Sequence, residues 1–129
     1  MIFSRHAMYE LTKQFRFDCA HTLERVVETE GSRRIHGHSY RAQVTLRGKP
    51  NPVSGMIIDT SLLAMKLAQA RDALDHRFLD EINDLGPGTM ENLCAYIWRK
   101  LEDDIPTLFS VTVLRDSTED QVTYFGEAA

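Results

Sequence analysis

The chain has 129 residues and a mass of 14.8 kDa, which suits one domain with one core, spanning residues 1–129. Hydrophobic residues make up 43% and charged residues 26%, the balance of an ordinary globular protein. The net charge of −4 argues against a nucleic-acid partner, because phosphate-backbone binding runs on excess Lys and Arg. No apolar run approaches the roughly 18–20 residues that cross a bilayer, so no membrane partner is expected. Met1-Ile-Phe-Ser-Arg-His lacks the basic-then-apolar order of a secretory leader. Two cysteines, Cys19 and Cys94, are too few for a disulfide scaffold and suit a reducing cytoplasm.

The first element runs from about Tyr9 to His21 and alternates with period 2. Leu11, Phe15, Phe17, Cys19 and His21 share one face, interrupted only by Lys13. A charged loop, Thr22 to Ile35, precedes a second strand from about His36 to Arg47. There His36, His38, Tyr40, Ala42, Val44 and Leu46 share a face, so the histidines continue the apolar side. Lys49 to Gly55, with two prolines and a glycine, reads as a turn. Asp59 or Thr60 then caps a helix carrying Leu63, Leu67, Ala70 and Leu74 at helical spacing. Gly86-Pro-Gly-Thr89 breaks the chain and caps a second helix with a buried stripe of Met90, Leu93, Ile97 and Leu101, ended by Pro106. A strand over Leu108–Arg115 places Phe109, Val111 and Val113 on one face, and a short strand over Gln121–Phe125 closes the chain. The order ββααββ predicts an α+β fold: an antiparallel sheet with two helices on one face.

His36-Gly-His38 puts two imidazoles on one face of a strand with room between them, a spacing that lets both reach one ion at about 2.0–2.1 Å. His21 closes the preceding strand on its own apolar side. If the two strands pair as a hairpin, His21, His36 and His38 converge. Three neutral imidazoles suit Zn²⁺ and leave a fourth position open, as catalytic zinc requires. Cys19 shares the strand face of His21 and either looks into the site or packs as a small hydrophobe; Cys94 reads as packing. His6 has no such context and is expected in solvent.

Phe17-Asp-Cys-Ala-His21, His36-Gly-His-Ser-Tyr40, Gly55-Met-Ile-Ile-Asp59, Leu74-Asp-His-Arg-Phe78 and Thr89-Met-Glu-Asn-Leu93 follow one another along the chain, with Tyr96-Ile-Trp98 after the last. In order and spacing they resemble the 6-pyruvoyl-tetrahydropterin synthase family, which includes the 6-carboxytetrahydropterin synthases of queuosine biosynthesis. The resemblance covers nearly the whole chain. It implies the tunnelling fold and a homo-oligomer built from trimers, commonly a hexamer as a dimer of trimers, with active sites between subunits. It also implies zinc on His21, His36 and His38, an Asp75–His76 pair that handles protons, and substrate contacts from Thr89 and Glu91. The implied reaction is a lyase reaction on 7,8-dihydroneopterin triphosphate. In isolation Asp75-His76 also reads as a charge pair at a helix end, and Glu91 and Thr89 also read as first-turn and capping residues.

Two positions depart from the family pattern. Where the queuosine-pathway members carry a catalytic cysteine, four residues before His36, this chain has Ser32; the other family spacing falls on Glu30. Glu30 and Cys19 are therefore the candidates for the catalytic base. Where the family ends its third core strand in a pterin-anchoring glutamate, this chain has Arg115, which donates hydrogen bonds but accepts none. Either Asp116 reaches the pocket through a bulge, or Arg115 meets a ligand with acceptors or negative charge, or Arg115 is held in a salt bridge, for example to Glu91. Three functions follow: the family lyase activity, a divergent enzyme with the zinc site kept and another substrate, or a non-catalytic zinc-binding protein of the same fold.

Overall fold

The computed structural model describes residues 8–127; His6 lies outside them. Strand β1 (Tyr9–His21) pairs antiparallel with β2 (His36–Gly48) over their whole length. Their apolar residues meet in register, Phe15 opposite Ala42 and Phe17 opposite Tyr40. The connection contains a short helix, α1 (Thr29–Arg33), which the sequence pattern does not reveal. Helix α2 (Thr60–Asp72) starts where Asp59 accepts a hydrogen bond from the Ser61 amide at 2.8 Å, and it buries Leu63, Leu67 and Ala70. After α2 come a two-residue strand, β3 (Arg77–Phe78), and a 3₁₀ turn at Leu79–Glu81. Helix α3 (Met90–Leu101) is capped by Thr89, whose hydroxyl accepts from the Asn92 amide at 3.2 Å. Strands β4 (Leu108–Arg115) and β5 (Asp120–Tyr124) complete a five-stranded sheet in the order β3-β1-β2-β4-β5.

The α+β architecture expected from the sequence is present, with two additions. Helix α1 sits in the β1–β2 connection, and β3 pairs parallel with Cys19 and Ala20, so the sheet is mixed rather than wholly antiparallel. One side of the sheet carries the core: Phe15, Phe17, Tyr40, Ala42, Val44, Leu46, Val111 and Val113 pack against α2 and α3. One facial assignment changes. A bulge opposite Thr45 and Leu46 pairs Leu108 rather than Phe109 with Leu46. Leu108 joins the core, and Phe109 instead lies beneath the Arg47 guanidinium, 3.6 Å from its ring centre.

Candidate metal centre and adjoining clefts

The β1–β2 register builds the site. His21 stands directly opposite His36, and His38 opposite Cys19, so alternation along both strands brings three imidazoles to the core side at one end of the sheet. Their ring centres lie 4.5, 4.9 and 5.0 Å apart, and one nitrogen from each falls within a 4.8 Å span. His21 is buried; His36 and His38 are half-buried.

Backbone carbonyls orient two of the rings. His21 Nδ1 bonds the Gly88 carbonyl at 2.8 Å and His36 Nδ1 bonds the Arg34 carbonyl at 2.8 Å. Both therefore turn Nε2 inward, and the two Nε2 atoms lie 2.9 Å apart. That is close to the roughly 3.3 Å kept by two nitrogens about 2.0–2.1 Å from one tetrahedral ion. A carbonyl on the distal nitrogen is the usual support of a metal-bound histidine. Burial, chiefly, holds His21 below the ordinary imidazole range, and burial together with Arg115 pushes His38 down to about 4. Both rings are thus neutral at physiological pH, the form that ligates, and the donor set fits a transition-metal ion such as zinc.

Gly88 is placed by contact. A Cβ there would stand 3.2 Å from His21 Nδ1 and 3.1 Å from Leu79 Cδ1, closer than side chains normally sit. The chain beyond His21 is tied down by Asp80, whose carboxylate accepts from the Thr22 amide at 3.0 Å and from the Thr22 hydroxyl. Sequence pattern pointed to neither Gly88 nor Asp80 as support for the site, since both act from segments remote in the chain.

Two clefts share His38; His36 lines only the second of them, and buried His21 lies behind. The first, about 660 Å³, holds Cys19 and His76 with His38. Asp75 and His76 follow the end of α2, as the sequence predicted, and His76 adopts a left-handed backbone conformation (φ 59°). Asp75 accepts from the Asp18 amide at 2.9 Å with one oxygen and lies 3.0 Å from His76 Nδ1 with the other. Those two bonds hold the Asp75 carboxyl below its usual range. Burial pushes the Cys19 thiol up to about 12, so it is protonated at neutral pH.

The second cleft, about 360 Å³, is lined by His36, His38, Ser32 and Arg115. Ser32 is buried and donates to the Thr29 carbonyl at 2.9 Å, bracing α1. Glu30 is exposed on α1, 3.7 Å from Arg34, and does not line this cleft. Of the two candidates at the end of β4, Arg115 is the one that faces the cleft. Asp116 instead receives two hydrogen bonds from Arg41, at 2.8 and 2.9 Å, on the far side of the sheet. Arg115 pairs with Asp120, not Glu91, which stands exposed in the first turn of α3. Thr89 lines a third cavity with Thr22 and Asp80.

A profile described as 6-pyruvoyl tetrahydropterin synthase matches residues 10–127. The chain belongs to the 6-pyruvoyl tetrahydropterin synthase family. It is 36% identical over 118 residues to the 6-carboxy-5,6,7,8-tetrahydropterin synthase of Synechocystis sp., covering 86% of this chain and 89% of that protein. It is 33% identical to the human 6-pyruvoyl tetrahydrobiopterin synthase, covering 71% and 67% respectively. The solved Caenorhabditis elegans 6-pyruvoyl tetrahydropterin synthase superposes with a TM-score of 0.83 at 27% identity, over 97% of this chain and all of that one. Family membership places the histidine triad, the Asp75–His76 pair and the Thr89 cap within a known fold.

Proposed function

We propose that the protein is a zinc-dependent lyase of the tetrahydropterin synthase type, with a dihydropterin triphosphate such as 7,8-dihydroneopterin triphosphate as substrate. The observation that carries the reading is the convergence of His21, His36 and His38, with His36 and His38 opening onto clefts of ligand size. Zinc held there supplies Lewis acidity to substrate oxygens and acidifies their protons. His76 moves the proton. With Nδ1 turned toward Asp75, its Nε2 is left as the accepting nitrogen, and imidazole is the side chain suited to taking and returning protons near neutrality. Asp75 fixes the ring's tautomer through the same contact.

Cys19 and Glu30 suit the base role less well. A thiol pushed up to about 12 is a poor proton acceptor at pH 7, and Glu30 points into solvent beside Arg34. We further propose that Thr89 and Glu91 bind substrate across a subunit boundary in a trimer-based homo-oligomer. The single chain supports this in two ways: Glu91 is exposed, and β1 is paired by β3 only at Cys19 and Ala20, leaving most of its outer edge open.

The test is direct. Metal-loaded protein incubated with 7,8-dihydroneopterin triphosphate should release inorganic triphosphate, and a chelator should stop the release. His38→Ala should abolish it and His76→Gln should lower it by about 100-fold or more. Stoichiometric zinc with no triphosphate released would sink the reading. A changed substrate is the second reading, and one observation favours it: at the end of β4 the side chain that lines the cleft beside the triad is the Arg115 guanidinium, a donor with no acceptor.

A further inference from the structure

Arg115 is an ionised side chain held largely out of solvent beside the histidine cluster. Its side chain is only 19% exposed. Alternation along β4 puts it on the face of Val111 and Val113, where it lies beside the Tyr40 hydroxyl and lines the cleft with His36 and His38. Its Nε donates to Thr118 at 2.8 Å and its Nη2 to Asp120 at 3.1 Å, which leaves the Nη1 hydrogens outside the turn's own network. Arg25 also lines this cleft, whose one carboxylate is Glu28. A partly desolvated guanidinium next to a cluster of neutral ligands is an arrangement for a planar or tetrahedral oxyanion, which it binds with directed, charge-assisted hydrogen bonds.

We propose that this cleft is a two-point oxyanion site, in which a carboxylate or phosphate group of the substrate lies between the metal held by His21, His36 and His38 and the guanidinium of Arg115. The inference rests on the metal reading given above and sharpens the substrate class: an acidic pterin or similar acid, rather than a neutral one. Asp120 is then a modulator, sharing the guanidinium with the ligand and setting how much positive charge the cleft retains.

The experiment uses Co²⁺-loaded protein, whose visible absorption reports directly on the metal's surroundings. Inorganic phosphate, pterin-6-carboxylate and 6-hydroxymethylpterin are titrated as probes. The first two should shift the cobalt bands saturably. Arg115→Gln should weaken both by about tenfold or more, with Arg115→Lys intermediate, while leaving 6-hydroxymethylpterin unchanged. Asp120→Asn should bind the anions equally or more tightly. A response to phosphate alone, or to the carboxylate alone, identifies the source of the oxyanion and supports the site. Anion binding unchanged in Arg115→Gln, with its anion-free cobalt spectrum intact, overturns the proposal. So does equal weakening in Asp120→Asn and Arg115→Gln, which makes Arg115 a brace of the β4–β5 turn. If Arg115→Gln does not fold, Arg115→Lys and Asp120→Asn decide between the same outcomes. Failure to bind cobalt at all is read before any anion is added; it defeats the metal reading and the two-point site with it. Oxyanion binding with no release of triphosphate defeats the lyase reading alone.

Discussion

At the scale of the residue, Asp75 is the side chain whose role in the fold and in the chemistry can be separated. Its carboxylate takes the Asp18 amide with one oxygen and faces His76 with the other, and its pKa is held down as a result. A carboxyl depressed in the folded state contributes stability above its unfolded pKa of about 3.9, and the contribution is lost as pH falls through the folded value. Urea unfolding of wild type and Asp75→Asn should therefore differ at pH 7, wild type being the more stable, and the gap should close below about pH 4. A constant gap down to pH 3 would assign the effect to packing. The same scale shows where sequence runs out. Alternation ranks Arg115 with Val111 and Val113, but sequence left open whether Arg115 or, through a bulge, Asp116 faces the cleft. The Arg115 partner, Asp120, was not legible, since that contact depends on how the 116–119 turn brings β5 back.

At the scale of the element, long periodic segments were legible and short ones were not. The β1 and β2 strands each bury one face over many residues, so their pattern repeats enough to be read, histidines included. Helix α1 has five residues and β3 has two, too few for any period; α1 is held by Ser32 and by the Leu23 amide reaching the Ser32 carbonyl at 2.7 Å. Phe109 was misplaced because a bulge shifts the alternation by one, which no local residue announces. Helix α3 was read correctly from its cap and its stripe, and it offers a test. Thr89→Ala should lower stability by about 1 kcal/mol through loss of the cap bond to Asn92, and Thr89→Asp should restore it, as measured by urea midpoints. If Thr89→Asp recovers stability but not triphosphate release, the hydroxyl serves substrate as well as the helix.

At the scale of the whole molecule, one helical layer covers one side of one sheet, and the other side presents polar residues such as Thr12, Gln14, Arg41, Thr45 and Thr123. Thr12 bonds Thr45 and Thr112 bonds Thr123 across that side, hydroxyl to hydroxyl, at 2.9 and 2.8 Å. Along β1, the edge that β3 leaves open retains unpaired backbone groups able to continue the sheet into another copy. Light scattering should then report three or six times 14.8 kDa. A particle of one chain mass at micromolar concentration would contradict the oligomer and the cross-boundary role given to Thr89 and Glu91.

Gly88 and Thr89 are neighbours in the chain, yet one bonds a histidine of the triad and the other begins a helix. The Gly88 carbonyl holds His21 Nδ1, and the next residue anchors the first turn of α3 through the Asn92 and Leu93 amides. Any force that fixes the His21 ring is thus passed through a single peptide unit to the start of α3. Metal loading should consequently slow hydrogen–deuterium exchange at the Asn92 and Leu93 amides and leave that of the distant Ala70 amide on α2 unaltered. The start of α3 would then serve as a gauge of occupancy, legible by mass spectrometry without any substrate present.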